Sequence, residues 1–393
     1  MTQLKSKFQT GNAITISLAH LLHDVYSSFL APLLPLLIEK LAFSYTAAGF
    51  LTVLQRGPSL LNPLIGILAD KFQVKYFIVI TPSITAISMS LLGLAPNYAV
   101  LALIMVTMGM SATFFHVPAP VLIKHVSGNR VGLGMSFFML GGEGARSLGP
   151  IFILTAVSWW GLEGTYRLIP IGLAISVILY FKLNRIDGIK QKAKHTASAT
   201  VSATFQRHFK TLMLLSGYLS SHSLMKGGLS AFLPIYMTEK GVSIWLAGIS
   251  LAVLQFAGVL GTLAAGPLSD IFGRRKILFV IAVVCPFLLL GFSKAENMVF
   301  IMILLFITGI FIFAPQPVML ARVNEIRTDH PSFINGTYMA LNFITTAVAI
   351  MIVGFLGDKI GLAKTYEIAA YLAFGAIPLA LMIQNKKIKP ETL

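Results

Sequence analysis

The sequence predicts an all-α membrane protein of twelve transmembrane helices, in two six-helix halves related by a pseudo-twofold axis. Three observations predict it. The 393 residues are 56% hydrophobic and 11% charged, with a mean hydropathy of +0.82, far from the composition of a soluble globular chain. The charges gather between apolar stretches of about 20 residues, the length of helix that crosses about 30 Å of hydrocarbon. Backbone groups in lipid have to be satisfied within their own segment, so each stretch is read as a helix. Lastly, the chain is written twice in the same direction. Leu51-Thr-Val-Leu-Gln55 recurs as Leu251-Ala-Val-Leu-Gln255, and nine positions of 51–72 are identical in 251–272. Glu39-Lys40 recurs as Glu239-Lys240, and Pro118-Ala-Pro-Val121 as Pro315-Gln-Pro-Val318. A parallel repeat of about six apolar spans is the pattern of a two-lobed secondary transporter.

The first half (1–183) holds spans at 13–37, 45–69, 76–94, 98–122, 132–157 and 165–183. Span 1 follows Lys5 and Lys7 and carries His20, His23 and Asp24, which makes it too long and too polar for a cleavable signal. Span 2 holds Gln55, Arg56 and Asn62 and runs into the turn at Asp70. Span 4 ends at His116 and Pro118, and span 5 carries Gly141-Gly142, Glu143 and Arg146. Residues 184–210, rich in Lys, Thr, Ser and Ala without an apolar period, read as a cytoplasmic linker. The second half (211–393) holds spans at 211–237, 243–269, 277–293, 298–321, 332–356 and 365–385. Span 7 carries His222 and Lys226, span 8 Gln255, span 10 Gln316 and span 11 Asn342. Pro32 and Pro35, Pro118 and Pro120, Pro315 and Pro317, and the Gly141-Gly142 pair predict broken helices that supply bending points.

The basic residues set the orientation. Of 30 Lys and Arg, 21 fall in the segments on the N-terminal side of the membrane, six in the opposite loops and three within spans. The positive-inside rule places both termini in the cytoplasm, with a bacterial inner membrane as the expected location. A net charge of +16 invites a nucleic-acid reading, but the basic residues flank spans and form no aromatic-interleaved domain, so no nucleic-acid partner is expected. Cys285 stands alone in an apolar span, which excludes a disulfide framework or a cysteine metal site. No Walker loop, His-Glu-x-x-His or Gly-x-Ser-x-Gly is present. The chain is therefore expected to be no enzyme, to use no cofactor or resident metal, and to work as a monomer in the bilayer.

The acidic turn is where the chain becomes recognisable. Gly66-Ile-Leu-Ala-Asp70-Lys71-Phe-Gln73 and Gly266-Pro-Leu-Ser-Asp270-Ile-Phe-Gly273-Arg274-Arg275 resemble the two copies of the loop signature of the major facilitator superfamily. A small residue there lets two helices approach. The carboxylate then sits at a cytoplasmic helix end, where it can pair with basic residues and latch the halves. Gly66, Asp70, Gly266, Asp270, Arg274 and Arg275 are the gating residues this implies. A narrower resemblance runs through His20-Leu-Leu-His23-Asp24, Phe115-His116-Val-Pro118, Gly141-Gly142 and Leu148-Gly149-Pro150. These look like the fosmidomycin-resistance-type branch, whose members export drugs in exchange for protons. Span 4 (98–122) lacks the arginine common among proton antiporters, and Gln73 replaces the usual glycine of the first loop copy.

Asp24, Arg56, Glu143, Arg146, His222 and Lys226 fall near the middle of their spans. A charge there costs about 2.5–3.5 kcal/mol on insertion scales, so such residues usually face a cavity or pair with one another. Asp24, with His20 one turn away and Glu143, is the expected proton-coupling group. Arg56, Arg146 and Lys226 outnumber Asp24 and Glu143, and a guanidinium matches a carboxylate or phosphate in bidentate fashion. An anionic or zwitterionic small molecule is the expected cargo, contacted by Arg56, His23, His116, Arg146, His222, Lys226, Gln55, Gln255, Gln316 and Asn342. Arg56 is expected to pair with Asp24 or Glu143 when no cargo is bound. Two alternatives stay open: a carrier of a metal ion or chelate using His20, His23 and His222, and a non-transporting membrane sensor.

Overall fold

The computed structural model describes residues 8–62, 65, 74–128, 131–183, 201–324, 326 and 331–383. The described residues form helices joined by short turns, with no strand among them. In chain order these are α1 (Thr10–Ser27) and α2 (Leu30–Leu41), then α3 (Tyr45–Arg56), α4 (Val74–Ser90), α5 (Tyr98–His116) and α6 (Ala119–Val126). Next come α7 (Val131–Trp160), α8 (Ile169–Leu183), α9 (Val201–Glu239) and α10 (Ile244–Phe272). The last six are α11 (Arg274–Lys294), α12 (Met298–Phe313), α13 (Pro315–Asn324), α14 (Pro331–Ile360), α15 (Leu362–Ala373) and α16 (Ala376–Met382). Where they are described, the elements fall on the expected spans, and most of 63–69, the end of span 2, lies outside the described residues. Among the described residues, nine helices or helix pairs are long and apolar enough to cross a bilayer unaided. Exposed side chains such as Leu103, Trp159 and Phe181 are what a lipid-facing surface presents.

The chain divides into two compact units. One comprises Met1–Lys194 with Leu233–Ala252, the other His195–Phe232 with Val253–Leu393. In the first unit the Tyr45 hydroxyl bonds to the Glu239 carboxylate, and Gly248 lies beneath Leu154. Residues 201–210, expected as linker, are helical and continuous with span 7. Residues 184–200 lie outside the described residues.

Local sequence explains the starts and breaks. Ser44 caps α3 by accepting from the Ala47 amide. Asn97 caps α5 through Val100 N at 3.0 Å, and Asn297, its repeat counterpart, caps α12 through Phe300 N at 3.1 Å. Span 1 breaks at Ser28–Phe29, where the Ser27 and Ser28 hydroxyls take the Asp24 and Val25 carbonyls and Pro32 enters the first turn of α2. Spans 4 and 10 break beside Pro118 and Pro315 as expected. Span 2 breaks too, passing from α3 into a 3-10 turn (Gly57–Leu61) beside Pro58.

Gly141-Gly142 corrects one expectation, because α7 runs unbroken through the pair. A Cβ at Gly141 would collide with the Ser17 carbonyl, one at Gly142 with the His20 ring and one at Gly149 with the Ser28 hydroxyl. These glycines let span 5 approach span 1; they do not bend it. The repeat reappears in helix crossings. A Cβ at Gly109 would strike the Gln55 carbonyl, and one at Gly309 the Leu254 carbonyl. Spans 2 and 4 of one half thus cross as spans 8 and 10 of the other do.

Candidate functional site

In the first unit, α1 presents His20, His23 and Asp24 toward α4, α5 and α7. Beneath them lies a packed core that includes Ala13, Ile16, Ile78, Phe115, Ile123 and Phe138. The His20 ring stacks on Phe138 and the His23 ring on Phe115, so aromatic planes fix both imidazoles. The Asp24 carboxylate receives three rings. His23 Nδ1 donates to Oδ1 at 2.9 Å. His20 Nε2 lies 3.3 Å from Oδ2, and His116 Nε2, from the last turn of α5, lies 3.2 Å from Oδ1. On its far side His20 Nδ1 donates to the Phe138 carbonyl at 2.7 Å.

A hydroxyl chain continues from His23. Its Nε2 is 3.0 Å from Thr85 Oγ1, which is 2.8 Å from Ser111 Oγ, and Ser111 donates to the Thr81 carbonyl. His23 is fully buried with both ring nitrogens engaged. It supports the carboxylate and does not reach open space, contrary to its expected place among the cargo contacts. His116 moves the other way: expected as a cargo contact, it faces Asp24 while 40% of its side chain stays exposed. Thr85 and Ser111 were missed by the sequence reading. Their one signal is a buried hydroxyl in an apolar span, which many transmembrane helices share.

The remaining interior charges are more open. Arg146 closes on Glu143 at 3.0 Å across one helical turn. Arg56 is exposed at the C-terminal end of α3, where the helix dipole favours a cation. It pairs with neither Asp24, which the imidazoles surround, nor Glu143, which Arg146 holds, so the expected resting partnership is not made. Gln55 is turned to structure, its amide donating to the Ser27 carbonyl at 2.7 Å across the break in span 1.

In the second unit His222 and Lys226, one turn apart on α9, both reach the break between α12 and α13. His222 Nε2 donates to the Ile312 carbonyl at 2.7 Å. Lys226 Nζ donates to Gln316 Oε1 at 2.9 Å and lies over the Phe313 ring, a favourable place for an ammonium. Gln255 and Asn342 are half-buried on α10 and α14.

At the second acidic turn Arg274 forms an ion pair with Asp270 and donates to Ser269 and the Gly266 carbonyl. Gly273 stands at φ +93°, a conformation glycine adopts without strain, and this aims α11 back along α10. Gly266 differs from expectation: among the described residues nothing lies within 4 Å of where its Cβ would be, so none of their helices approaches closely there. Gly66 and Asp70 of the first copy lie outside the described residues, and Arg275 is exposed.

A helical fold of this kind, with helices broken at mid-span and charged groups gathered at the breaks, defines a membrane carrier. The sequence profile of the Major Facilitator Superfamily matches residues 16–342, and the chain belongs to that family. It is a multi-pass membrane transporter, not an enzyme. It is similar to the fosmidomycin resistance protein of Escherichia coli, with 25% identity over 94% of this chain and 91% of that one. It also resembles the multidrug resistance protein MdtG of Dickeya zeae, 23% identical over 78% of this chain and 76% of that one. Among solved structures it shares its fold with an inward-facing bacterial homologue of the human lysosomal transporter Spinster. The TM-score is 0.76 at 14% identity, covering 96% of each chain. The nucleoside transporter NupG has the same fold, with a TM-score of 0.74 at 16% identity, covering 94% of this chain and 98% of that one.

Proposed function

We propose that this chain exports a small anionic or zwitterionic organic compound across a bacterial inner membrane, driven by inward movement of protons. It works as a monomer with both termini in the cytoplasm. The halves 1–183 and 211–393 alternate access to the cargo about the linker between them. The observation that carries the reading is Arg56: a guanidinium at a mid-span helix break, with no ion-pair partner among the described residues. Holding such a charge in an apolar span is costly, and a cargo acid that offsets the cost is bound by the same token. Asp24 supplies the carboxylate at which the coupling cation, a proton, is taken up. The names of the relatives, fosmidomycin resistance and multidrug resistance, support export over uptake.

Purified protein in proteoliposomes tests this. Radiolabelled fosmidomycin is expected to move against its gradient when a pH gradient is imposed, and to be chased by other organic anions but not by tetraphenylphosphonium. Transport that ignores the pH gradient would remove proton coupling. Competition by the lipophilic cation alone would remove the anion preference.

A further inference from the structure

We infer that His20, Asp24 and His116 form an exchangeable site for a divalent transition-metal ion of the zinc type, with His23 as its supporting residue. The potential ligand atoms of the three residues all lie within 4.8 Å of one another. Their spacing is informative. A metal with bonds of about 2.0–2.1 Å in tetrahedral geometry holds its ligand atoms about 3.3 Å apart. Each imidazole lies at about that separation from one carboxylate oxygen, His20 Nε2 at 3.3 Å from Asp24 Oδ2 and His116 Nε2 at 3.2 Å from Asp24 Oδ1. An ion between the rings therefore draws on both oxygens or takes one of them after a small turn of the carboxylate. Charge-assisted N–H···O bonds are shorter, at about 2.7–2.9 Å. The His23–Asp24 bond, at 2.9 Å, falls in that range, and the other two contacts are longer.

The hydrogen bonds point the same way. His20 Nδ1 donates to the Phe138 carbonyl, so a neutral ring turns the Nε2 lone pair toward a carboxylate oxygen. Two acceptors then face each other, an arrangement that needs a cation between them. Metal-binding imidazoles commonly donate their second nitrogen to a carbonyl, and ligating carboxylates are themselves hydrogen-bonded. Here Phe138 fills the first role and His23, fixed by Thr85, the second. Asp24 and His116 also lie in the last turns of α1 and α5, where the carbonyl end of a helix favours a cation. The nearby Arg146 charge is offset by Glu143.

Two imidazoles and a carboxylate suit zinc, cobalt or nickel over magnesium or calcium. Three protein ligands leave one position open, on the side where His116 is exposed while His20 and Asp24 are not. Such a site exchanges its ion and accepts a further ligand. The inference does not rest on the transport reading, because it is read as equilibrium binding without any gradient.

The test uses untagged full-length protein in lipid nanodiscs, titrated with zinc chloride and with magnesium chloride by calorimetry. One zinc per chain is expected, and no magnesium. Zinc affinity should fall at least about tenfold in His116→Gln and in His20→Gln, and about tenfold in His23→Gln through the lost support. Cobalt(II) added to the parent should show the intense visible bands of a four-coordinate ion, and His116→Gln should lose them. His116 is partly exposed, so that variant decides the matter if His20→Gln does not fold. Absence of saturable zinc binding would show that a proton alone resolves the His20–Asp24 contact, and would overturn the site. So would unchanged affinity in His116→Gln, or affinity lost in His125→Gln, on the exposed face of α6, and kept in His116→Gln.

Discussion

The His20 imidazole occupies the space that a side chain on Gly142 would need, its Nε2 2.6 Å from the position of a Cβ there. The ring is held on its other face by Phe138 and cannot retreat without leaving Asp24. Gly142→Ala is therefore expected to cost about 1–3 kcal/mol, as overpacking does, and to impair gradient-driven transport together with zinc binding. Thermal melting and transport measured on one preparation check this. A variant that matches the parent in both would show that α7 shifts freely against α1.

Asp24→Asn keeps an oxygen for the His23 Nδ1–H but removes the negative charge. The protein is expected to insert and melt like the parent, to lose pH-gradient-driven transport, and to keep counterflow exchange of labelled cargo. Gradient-driven transport at the parental rate would take Asp24 out of the coupling role.

Arg56→Lys retains the charge and loses the planar fork. Cargo affinity should fall by about 1–3 kcal/mol, the range for a bond to a charged group, and fall further in Arg56→Gln. Equilibrium binding of labelled anion measures both. If both variants bind as the parent does, the anion preference belongs to Arg146 or Lys226.

At the second acidic turn the Asp270–Arg274 pair is mostly exposed on its acidic side, and exposed pairs contribute about 0–1 kcal/mol. Asp270→Asn should leave melting almost unchanged while slowing turnover, with cargo affinity intact. Rapid-mixing transport assays and binding separate the two. A loss confined to affinity would argue against a latch. Asp70, its repeat counterpart, is expected to behave in the same way.

Glycines of the repeat divide by what surrounds them. Gly309→Ala and Gly109→Ala each place a methyl against a backbone carbonyl and are expected to destabilise by about 1–3 kcal/mol. Gly266→Ala meets open space and should be neutral or stabilising by up to about 1 kcal/mol, as helix propensity favours. Melting temperatures of the three variants, compared in one detergent, give the order. Equal losses at all three would mean that a second helix closes on Gly266 in solution.

Much of this protein is legible along the chain. Hydrophobic length specifies the helices, because a bilayer leaves the backbone few other choices, but not every bound, as the helical residues 201–210 show. The duplicated segments announced the matching helix crossings at Gly109 and Gly309, and the prolines at 118 and 315 announced two of the breaks, since a missing amide acts locally. The i, i+4 step from His20 to Asp24 likewise placed both on one helical face. Other features are set by packing between spans distant in sequence. Nothing in the chain order says that His116 and Thr85 meet the α1 cluster, that His23 is sealed beneath it, or that Glu143 engages Arg146 and not Arg56. The Gly141-Gly142 pair is ambiguous by itself, since glycine serves a bend and a close crossing equally well. What resolves it is the helix on the other side, because a Cβ is excluded only where another atom already stands.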